Sequence, residues 1–220
     1  MRILVLLGAP GAGKGTQAPI LAERLGLPVL GSGDVLRAAV AAGTSLGREA
    51  ETYMSRGELV PDATIVEVFF ERLAEPDAAS GAILDGFPRT RRQAEVLDGA
   101  LERRRAAVDR ALYIEVPVDD LVERMAGRRI CSASGHVFNV VSNPPAVPGV
   151  CDFDGSALVQ REDDHEETVR ARMALQVPPL EEVVDHYEAR GLLSRVDGRG
   201  PIETVTAELL AALASPVRSA

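Results

Sequence analysis

The sequence predicts an α/β protein: a five-stranded parallel sheet flanked by helices, with one helical insertion and one small β-rich insertion. Short apolar segments alternate with amphipathic segments of helical period, a pattern typical of a parallel sheet covered on both faces. Two stretches depart from this alternation. Residues 32 to about 72 have a helical pattern throughout, and residues 130–160 carry short strand-like pieces between glycines and prolines. We expect both stretches to be insertions on one core.

The strands and helices of the core are predicted in chain order from the period of their apolar residues. Strands are expected at Ile3–Leu7, Val29–Leu30, Ala82–Leu84, Ala111–Glu115 and Leu193–Val196. Helices are expected at Lys14–Leu25, Val118–Met125, Glu166–Arg190 and Ile202–Leu213. The third helix should bend or break at Pro178-Pro179, because proline lacks a backbone donor and clashes with the preceding turn. In the helical insertion, Asp62 is predicted to be an N-cap.

Composition limits the classes of partner that the chain can have. With 220 residues, 46% of them hydrophobic and 26% charged, the chain is typical of a globular protein. Its net charge of −9 opposes nonspecific binding to nucleic acid or anionic lipid, so neither is an expected partner. The apolar run at residues 3–7 is too short to span a membrane and lacks a cleavage site, which predicts a cytoplasmic protein. Two cysteines are too few for a disulfide scaffold.

The loop after the first predicted strand has the composition of a phosphate-binding loop. Residues 8–16 read Gly-Ala-Pro-Gly-Ala-Gly-Lys-Gly-Thr. Glycines let successive backbone N–H groups point at an anion, and the following helix adds its positive N-terminal end. Lys14 supplies a positive charge for the outer phosphates, and Thr16 supplies a hydroxyl one residue later than is usual, because Gly15 intervenes. The sequence therefore predicts binding of a nucleoside polyphosphate; the alternative is a glycine-rich turn without a ligand.

Two further segments predict a second phosphate site. Residues 32–37 open a helix with Ser32, Asp34 and Arg37, although Ser32 by itself is equally typical of a helix cap. The segment 84–90 follows a buried strand, at the end where open α/β sheets bind ligands. There Asp85 could hold the waters of a Mg²⁺ ion, and Arg89 could make two parallel hydrogen bonds to a phosphate. A structural turn is the alternative, and it leaves these two charged residues unexplained.

Arginines cluster at both ends of the β-rich insertion. Arg124, Arg128 and Arg129 precede it, and Arg161, Arg170 and Arg172 follow it together with Asp163 and Asp164. Each arginine alone is more typical of a solvated helix face. Grouped in an acidic protein, they indicate a clamp for the negative charge that develops during phosphoryl transfer.

Taken in order, these motifs resemble those of the adenylate kinase family, in its long bacterial form with a lid. The matching segments are 8–16, 32–37, 85–89 with Gln93, 127–129, 143–145, 161–164 and 170–172. The resemblance implies reversible Mg²⁺-dependent phosphoryl transfer from ATP to AMP, which gives two ADP. It also implies a core of residues 1–31, 61–127 and 165–220, an AMP-binding insertion of residues 32–60 and an ATP lid of residues 128–164.

The resemblance further implies roles for individual residues. ATP would be held by Gly11, Ala12, Gly13, Lys14, Gly15 and Thr16, by Arg128, Val137 and Phe138 of the lid, and by the backbone of Gly200 at the adenine. AMP would be held by Ser32, Arg37, Glu58, Leu59, Val60, Gly86, Phe87, Pro88, Arg89, Gln93, Arg161 and Arg172. The catalytic residues would be Lys14, Arg89, Arg128, Arg161 and Arg172. Asp34 and Asp85 would order waters around Mg²⁺.

Two departures from the family pattern bear on specificity and on metal content. Ser32 stands where threonine is usual and keeps the hydroxyl; with Gln93, whose amide can pair with a base edge, it favours AMP over UMP, CMP or GMP. Some family lids bind zinc, and the corresponding residues here are Cys131, Ser134, Cys151 and Asp154. Serine is a poor zinc ligand, and His136 could replace it. Structural zinc and a metal-free hydrogen-bonded lid both remain open. A monomer is expected.

Overall fold

The computed structural model describes residues 1–54, 60–141, 143–160 and 164–214. The chain forms two compact units. The first unit consists of Met1–Gly8, Gly13–Glu115 and Pro179–Ala220, and the second unit of Ala9–Ala12 and Val116–Pro178. Among the described residues, no helix is both long enough and apolar enough to cross a bilayer.

The first unit is built on strands and helices that alternate along the chain. In order, its elements are β1 (Arg2–Leu7), α1 (Lys14–Leu25), β2 (Val29–Gly31), α2 (Ser32–Ala42), α3 (Ser45–Met54), α4 (Asp62–Leu73), a 3₁₀ turn (Pro76–Ala78), β3 (Gly81–Asp85), α5 (Arg91–Arg103) and β4 (Val108–Glu115). The second unit continues with α6 (Val118–Ala126), β5 (Arg128–Cys131), β6 (Val137–Asn139) and β7 (Leu158–Val159). The chain ends with α7 (Glu166–Ala189), β8 (Leu193–Asp197) and α8 (Ile202–Ala214).

The predicted five-stranded parallel sheet is confirmed. Its strand order is β2-β3-β1-β4-β8, and all four pairs are parallel. From β1 the chain continues to β2 on one side of the sheet, and from β4 it continues to β8 on the other side. The direction of the connections across the sheet therefore reverses beside β1. Ligands of open α/β sheets bind at such a reversal, outside the carboxyl ends of the strands. The register brings three of these ends together, because Leu6 and Gly31 both lie opposite Asp85.

Burial on both faces explains why the strands read as continuous apolar runs. Ile3, Leu4, Val5 and Leu6 of β1 are at most 1% exposed. Helix α1 begins and ends where the pattern predicts, and Gly26 closes it in the left-handed conformation with φ 64°. Each of the five strands is one to three residues longer than its apolar run, because hydrogen-bonded pairing continues into the flanking polar residues.

Three local predictions differ from the structure. Helix α7 is continuous through Pro178 and Pro179, so the prolines do not break it. Asp62 is the first residue of α4 and Pro61 occupies the N-cap, so Asp62 is not the cap. Helix α5 was not predicted at all. Its buried face consists of Ala94, Leu97, Ala100 and Leu101, and the helix as a whole is poor in large apolar residues, since two of these four are alanines and about half of its residues are charged.

The second unit contains a small antiparallel sheet of order β6-β5-β7, as the β-rich segment predicted. Among its described residues, the apolar cluster of this sheet is formed by Cys131, Phe138 and Cys151, with Leu158 packed against it. So few apolar side chains supply little free energy of folding, and small domains of this kind depend on other links.

Candidate functional site

The loop that joins β1 to α1 has the backbone of an anion-binding turn. Gly8, Gly11 and Gly13 have φ angles of 155°, 86° and 101°, which other residues adopt only with strain. Gly13 is the N-cap of α1, and its carbonyl accepts hydrogen bonds from the backbone N–H groups of Thr16 and Gln17, each 3.0 Å long. Within the loop the Ala12 N–H donates to the carbonyl of Ala9 at 3.1 Å, and the loop leads into the N-terminus of α1, a helix end that favours an anion.

Lys14 is the first residue of α1, and its ammonium group is partly desolvated. Its Nζ donates a hydrogen bond to the carbonyl of Gly8. Burial lowers the pKa of this ammonium, Asp85 opposes that shift, and Arg89 adds to it. A cation that has lost most of its water gains more from an anionic ligand than an exposed one does. A lysine whose pKa is lowered in this way suits an anionic ligand better than a purely structural surface role.

Asp85 ends β3 at the edge where three strands terminate. Burial raises the pKa of this carboxyl, Lys14 and Arg89 lower it, and Asp34 adds to the rise. These four charged side chains therefore influence one another within the first unit. Asp34 itself forms an exposed ion pair of 2.6 Å with Arg37.

Arg89 is fixed by contacts with two elements. Its Nε donates to the carbonyl of Gly86 at 2.8 Å, and its Nη2 donates to the hydroxyl of Ser32 at 2.9 Å. Gly86 has a φ of 69°, which lets the chain turn directly after β3. The backbone N–H of Arg89 donates to Oε1 of Gln93 at 2.8 Å, which orients that amide. Ser32, Gly86, Arg89 and Gln93 therefore form one connected group.

Ser32 does not act as a helix cap. It is the first residue of α2, Gly31 occupies the N-cap, and no side chain caps that end. Its side chain is 5% exposed and turned to Arg89 instead. Gly33 leaves room for the guanidinium of Arg37, whose Nη1 would lie only 3.0 Å from an added Cβ. This geometry supports a ligand-binding arrangement at the start of α2 and disfavours the capping alternative.

Arg128 in the second unit is paired with a residue that the sequence analysis did not assign to it. Its guanidinium makes two hydrogen bonds to Asp164, and the one from Nε to Oδ2 is 2.8 Å long. Asp164 is completely buried. Gln160 lies beside this pair and donates from Nε2 to the carbonyls of Ala126, at 2.9 Å, and Asp164, at 3.1 Å. No sequence signal marks Gln160, because glutamine is common at exposed positions.

The other predicted site residues are distributed over both units. Val60, Phe87 and Pro88 lie in the first unit, and Gly200 lies there too, two residues before the start of α8. Val137 is 58% exposed, whereas Phe138 is 4% exposed and belongs to the apolar cluster of the second unit. Arg172 lies on α7 within the second unit. Glu58, Leu59 and Arg161 lie outside the described residues, together with Asp163.

A cluster of possible metal ligands lies at one end of the small sheet. The ligand atoms of Cys131, His136, Cys151 and Asp154 are all within 4.8 Å of one another. Three separations are shorter: Cys131 Sγ to Asp154 Oδ2 is 3.3 Å, Cys151 Sγ to His136 Nδ1 is 3.4 Å, and His136 Nδ1 to Asp154 Oδ2 is 3.7 Å. A tetrahedral zinc ion with bonds of 2.0–2.3 Å separates its ligands by about 3.3–3.8 Å. These three separations lie within that range.

Ser134 has a different part in this cluster. Its hydroxyl donates to Asp154 Oδ2, and its backbone N–H lies 3.4 Å from the Cys131 sulfur. The Ser134 hydroxyl and the Ser156 N–H both lower the pKa of the Asp154 carboxyl below its ordinary value. Ser134 is thus hydrogen-bonded to two members of the cluster, Asp154 and Cys131.

Comparisons with known proteins agree with this geometry. The model of the family described as adenylate kinase matches residues 6–192. An adenylate kinase of Thermodesulfovibrio yellowstonii is 49% identical over 210 residues, which cover 96% of this chain and 98% of that protein. An adenylate kinase of Exiguobacterium sibiricum is 48% identical with the same coverage. An adenylate kinase of Staphylococcus aureus is 44% identical over 94% of this chain and 96% of that protein.

Proposed function

The chain belongs to the adenylate kinase family, and from that premise we propose which residues carry its reaction. It is a phosphotransferase that converts ATP and AMP into two ADP. We propose that the Lys14 loop binds the phosphates of ATP and that Arg89, with Ser32, Arg37 and Gln93, binds AMP. The observation that carries this assignment is the connected group around Arg89, which shares an electrostatic environment with Lys14 and Asp85.

The proposed mechanism depends on alignment and on charge. The acceptor oxygen, the transferred phosphorus and the leaving oxygen must lie in line, and the negative charge on the equatorial oxygens must be dispersed. Lys14, Arg89, Arg128, Arg161 and Arg172 would supply positive charge for this. An AMP phosphate is already an ionised nucleophile, so no general base is needed. Family members use ATP with Mg²⁺, which neutralises charge on the phosphates; Asp34 and Asp85 would hold its waters.

Water competes with AMP as the acceptor, so the site must exclude it during transfer. We propose that the AMP-binding insertion of residues 32–60 and the lid of residues 128–164 close over the core formed by residues 1–31, 61–127 and 165–220. Val137 is exposed and available to cover the nucleotide, whereas Phe138 would contribute mainly through its backbone and through the lid core. A bisubstrate dinucleotide that spans both sites should inhibit tightly; weak inhibition by it would contradict the arrangement.

Acceptor specificity provides the direct test. ADP formation should depend strictly on added AMP, and UMP, CMP and GMP should be poor acceptors in the same coupled assay. Ser32→Ala removes the hydroxyl that accepts from Arg89 and should raise the KM for AMP. If the wild type used UMP or CMP as well as AMP, the assignment of Ser32 and Gln93 to adenine-nucleotide recognition would be wrong.

We further propose that the lid carries structural zinc on Cys131, His136, Cys151 and Asp154. The spacing of the four ligand atoms and the small apolar core of the lid support this. Elemental analysis of the purified protein should give one zinc per chain, and His136→Ala should lose it whereas Ser134→Ala should keep it. Full zinc content in the His136 variant would instead favour another fourth ligand.

The remaining proposals concern the state of the protein in the cell. The acidic net charge of −9 supports a protein that binds neither nucleic acid nor membrane surfaces. We propose a cytoplasmic monomer whose partners are ATP, AMP and ADP. Light scattering coupled to size exclusion should give a mass near 23.4 kDa, the mass of one chain.

A further inference from the structure

Helices α1 and α8 are linked by a buried amide. Gln17, one residue after Thr16, is 3% exposed, and its Nε2 donates to the carbonyl of Ile202 at 3.0 Å. Its Oε1 lies 2.7 Å from the hydroxyl of Thr206, which is also buried. A buried amide that satisfies its donor and its acceptor on one partner fixes the relative position of two helices more strictly than apolar contacts do.

The contact lies between two segments to which the proposed function assigns opposite ends of ATP. Gln17 follows the loop that binds the phosphates, and Ile202 begins α8 only two residues after Gly200, whose backbone is proposed to contact adenine. The segment before α8 is also held at the sheet, because Gly198 N donates to Glu115 O at 2.9 Å and Arg199 N donates to Asp197 Oδ1 at 3.0 Å. Gln17 adds an anchor that comes from the phosphate-binding helix itself.

We infer that Gln17 is a positioning residue for the base of ATP: through Ile202 and Thr206 it fixes the distance between the phosphate loop and the adenine-contacting segment at Gly200. The inference rests on the proposed function. Without this link, α8 can shift along α1. The phosphates of ATP then remain bound, but the backbone groups around Gly200 are no longer in position to make hydrogen bonds to the edge of the base. Discrimination between purine bases then falls, since it depends on hydrogen bonds of fixed geometry.

Thr206 makes the link testable by a matched pair of variants. Its hydroxyl also lies 2.8 Å from the Ile202 carbonyl. The single hydroxyl proton can therefore be donated either to that carbonyl or to Oε1 of Gln17. Thr206→Val removes the hydroxyl without changing the size of the side chain, and Thr206→Ser keeps it. Gln17→Met removes the amide but keeps an unbranched side chain of similar length.

The experiment measures steady-state kinetics with ATP and with GTP as donors at saturating AMP. Gln17→Met and Thr206→Val should each raise the KM for ATP and lower the ATP-over-GTP preference by about three- to tenfold, the range of one hydrogen bond. The KM for AMP should change less than about twofold, because the acceptor group makes no contact with this link. Thr206→Ser should retain wild-type values. The double variant Gln17→Met with Thr206→Val should be no worse than Gln17→Met alone, since Gln17→Met already removes both hydrogen bonds between the two helices.

Leu209→Ala is the control for loss of stability alone. Leu209 is fully buried in α8 and makes none of these hydrogen bonds, so its truncation should lower the melting temperature at least as much while the ATP-over-GTP preference stays at the wild-type value. An unchanged preference in Gln17→Met, or an equal loss in Leu209→Ala, would overturn the inference. If the wild type itself shows no preference for ATP, the proposed adenine contact at Gly200 fails instead, and the two failures are thus distinguished.

Discussion

The proposed phosphate-binding edge of the first unit and the proposed lid in the second unit are stabilised in different ways. The first unit surrounds its sheet with a large apolar core, and Ser32, Asp85 and Arg89 stand at the border of that core. The described part of the lid has only a small apolar cluster and exposes large apolar side chains, among them Phe153 at 74%. Its shape depends on polar contacts. Replacement of a polar residue should therefore reduce activity or ligand binding in the first region. In the second region it should reduce stability.

The largest effect is expected from Lys14→Met. Lys14 is the only lysine of the chain, and its ammonium is desolvated by burial. Loss of this charge should reduce kcat by at least about 10²–10³-fold, the scale of one preorganised charge-stabilising group. Thermal stability should stay unchanged or rise, because a desolvated cation is replaced by an apolar side chain.

Arg24→Met, in the exposed last turn of the same helix, is the matched control and should keep wild-type turnover. A Lys14→Met protein that unfolds more readily than this control would show that the first region also depends on its charged groups for structure. That result would remove the contrast between the two regions.

The second largest effect is expected from removal of the proposed zinc ion from the lid. A metal ion present at 100 times its dissociation constant adds about 2.7 kcal/mol to stability. Its removal should lower the melting temperature of the lid by about 5–10 °C. Differential scanning calorimetry before and after chelation measures this change. Readdition of zinc should restore the transition in the wild type and fail to do so in Cys151→Ser. A chelator-insensitive transition would favour the metal-free, hydrogen-bonded lid.

Arg89→Ala should weaken AMP binding by about 1.5–3 kcal/mol, the scale of lost charge-assisted hydrogen bonds. The fold should be unaffected, since the guanidinium makes hydrogen bonds to the Gly86 carbonyl and the Ser32 hydroxyl and does not fill the apolar core. Titration calorimetry with AMP measures the change. Arg91→Ala, which removes only an exposed ion pair with Glu95, should bind AMP as the wild type does. Equal affinity in both variants would exclude Arg89 from the acceptor site.

The smallest effect is expected from Gln160→Leu in the lid. Gln160 ties the end of α6 to Asp164 through two hydrogen bonds, and their loss should cost about 1–2 kcal/mol locally. Hydrogen exchange should become about five- to thirtyfold faster in residues 126–160 and stay unchanged in β1 and β3. Leu158→Ala is the comparison within the lid. If it accelerates exchange while Gln160→Leu does not, the lid is held by its apolar cluster, as the first unit is.

The elements with strong local signals were predictable from the sequence. The apolar run of β1, the glycines of the loop and the bounds of α1 are encoded within about 25 consecutive residues, and the structure reproduces them. Helix α5 was missed because alanines form much of its buried face, and the continuity of α7 through two prolines was not foreseen. The residues expected at the two phosphate sites also come from local motifs, and their roles stay predictions.

What the sequence determined by itself was therefore most of the elements, with α5 the exception, and the chemistry expected of each motif. The tertiary structure decided the partners: Arg89 with Ser32, 57 residues away; Arg128 with Asp164; His136 with Cys151; and Gln17 with Thr206, 189 residues away. The physical reason is the range of the interactions. Backbone preferences and apolar periods act between neighbours in the chain, whereas a side-chain hydrogen bond needs two atoms within about 3 Å, which only the packing of distant elements provides.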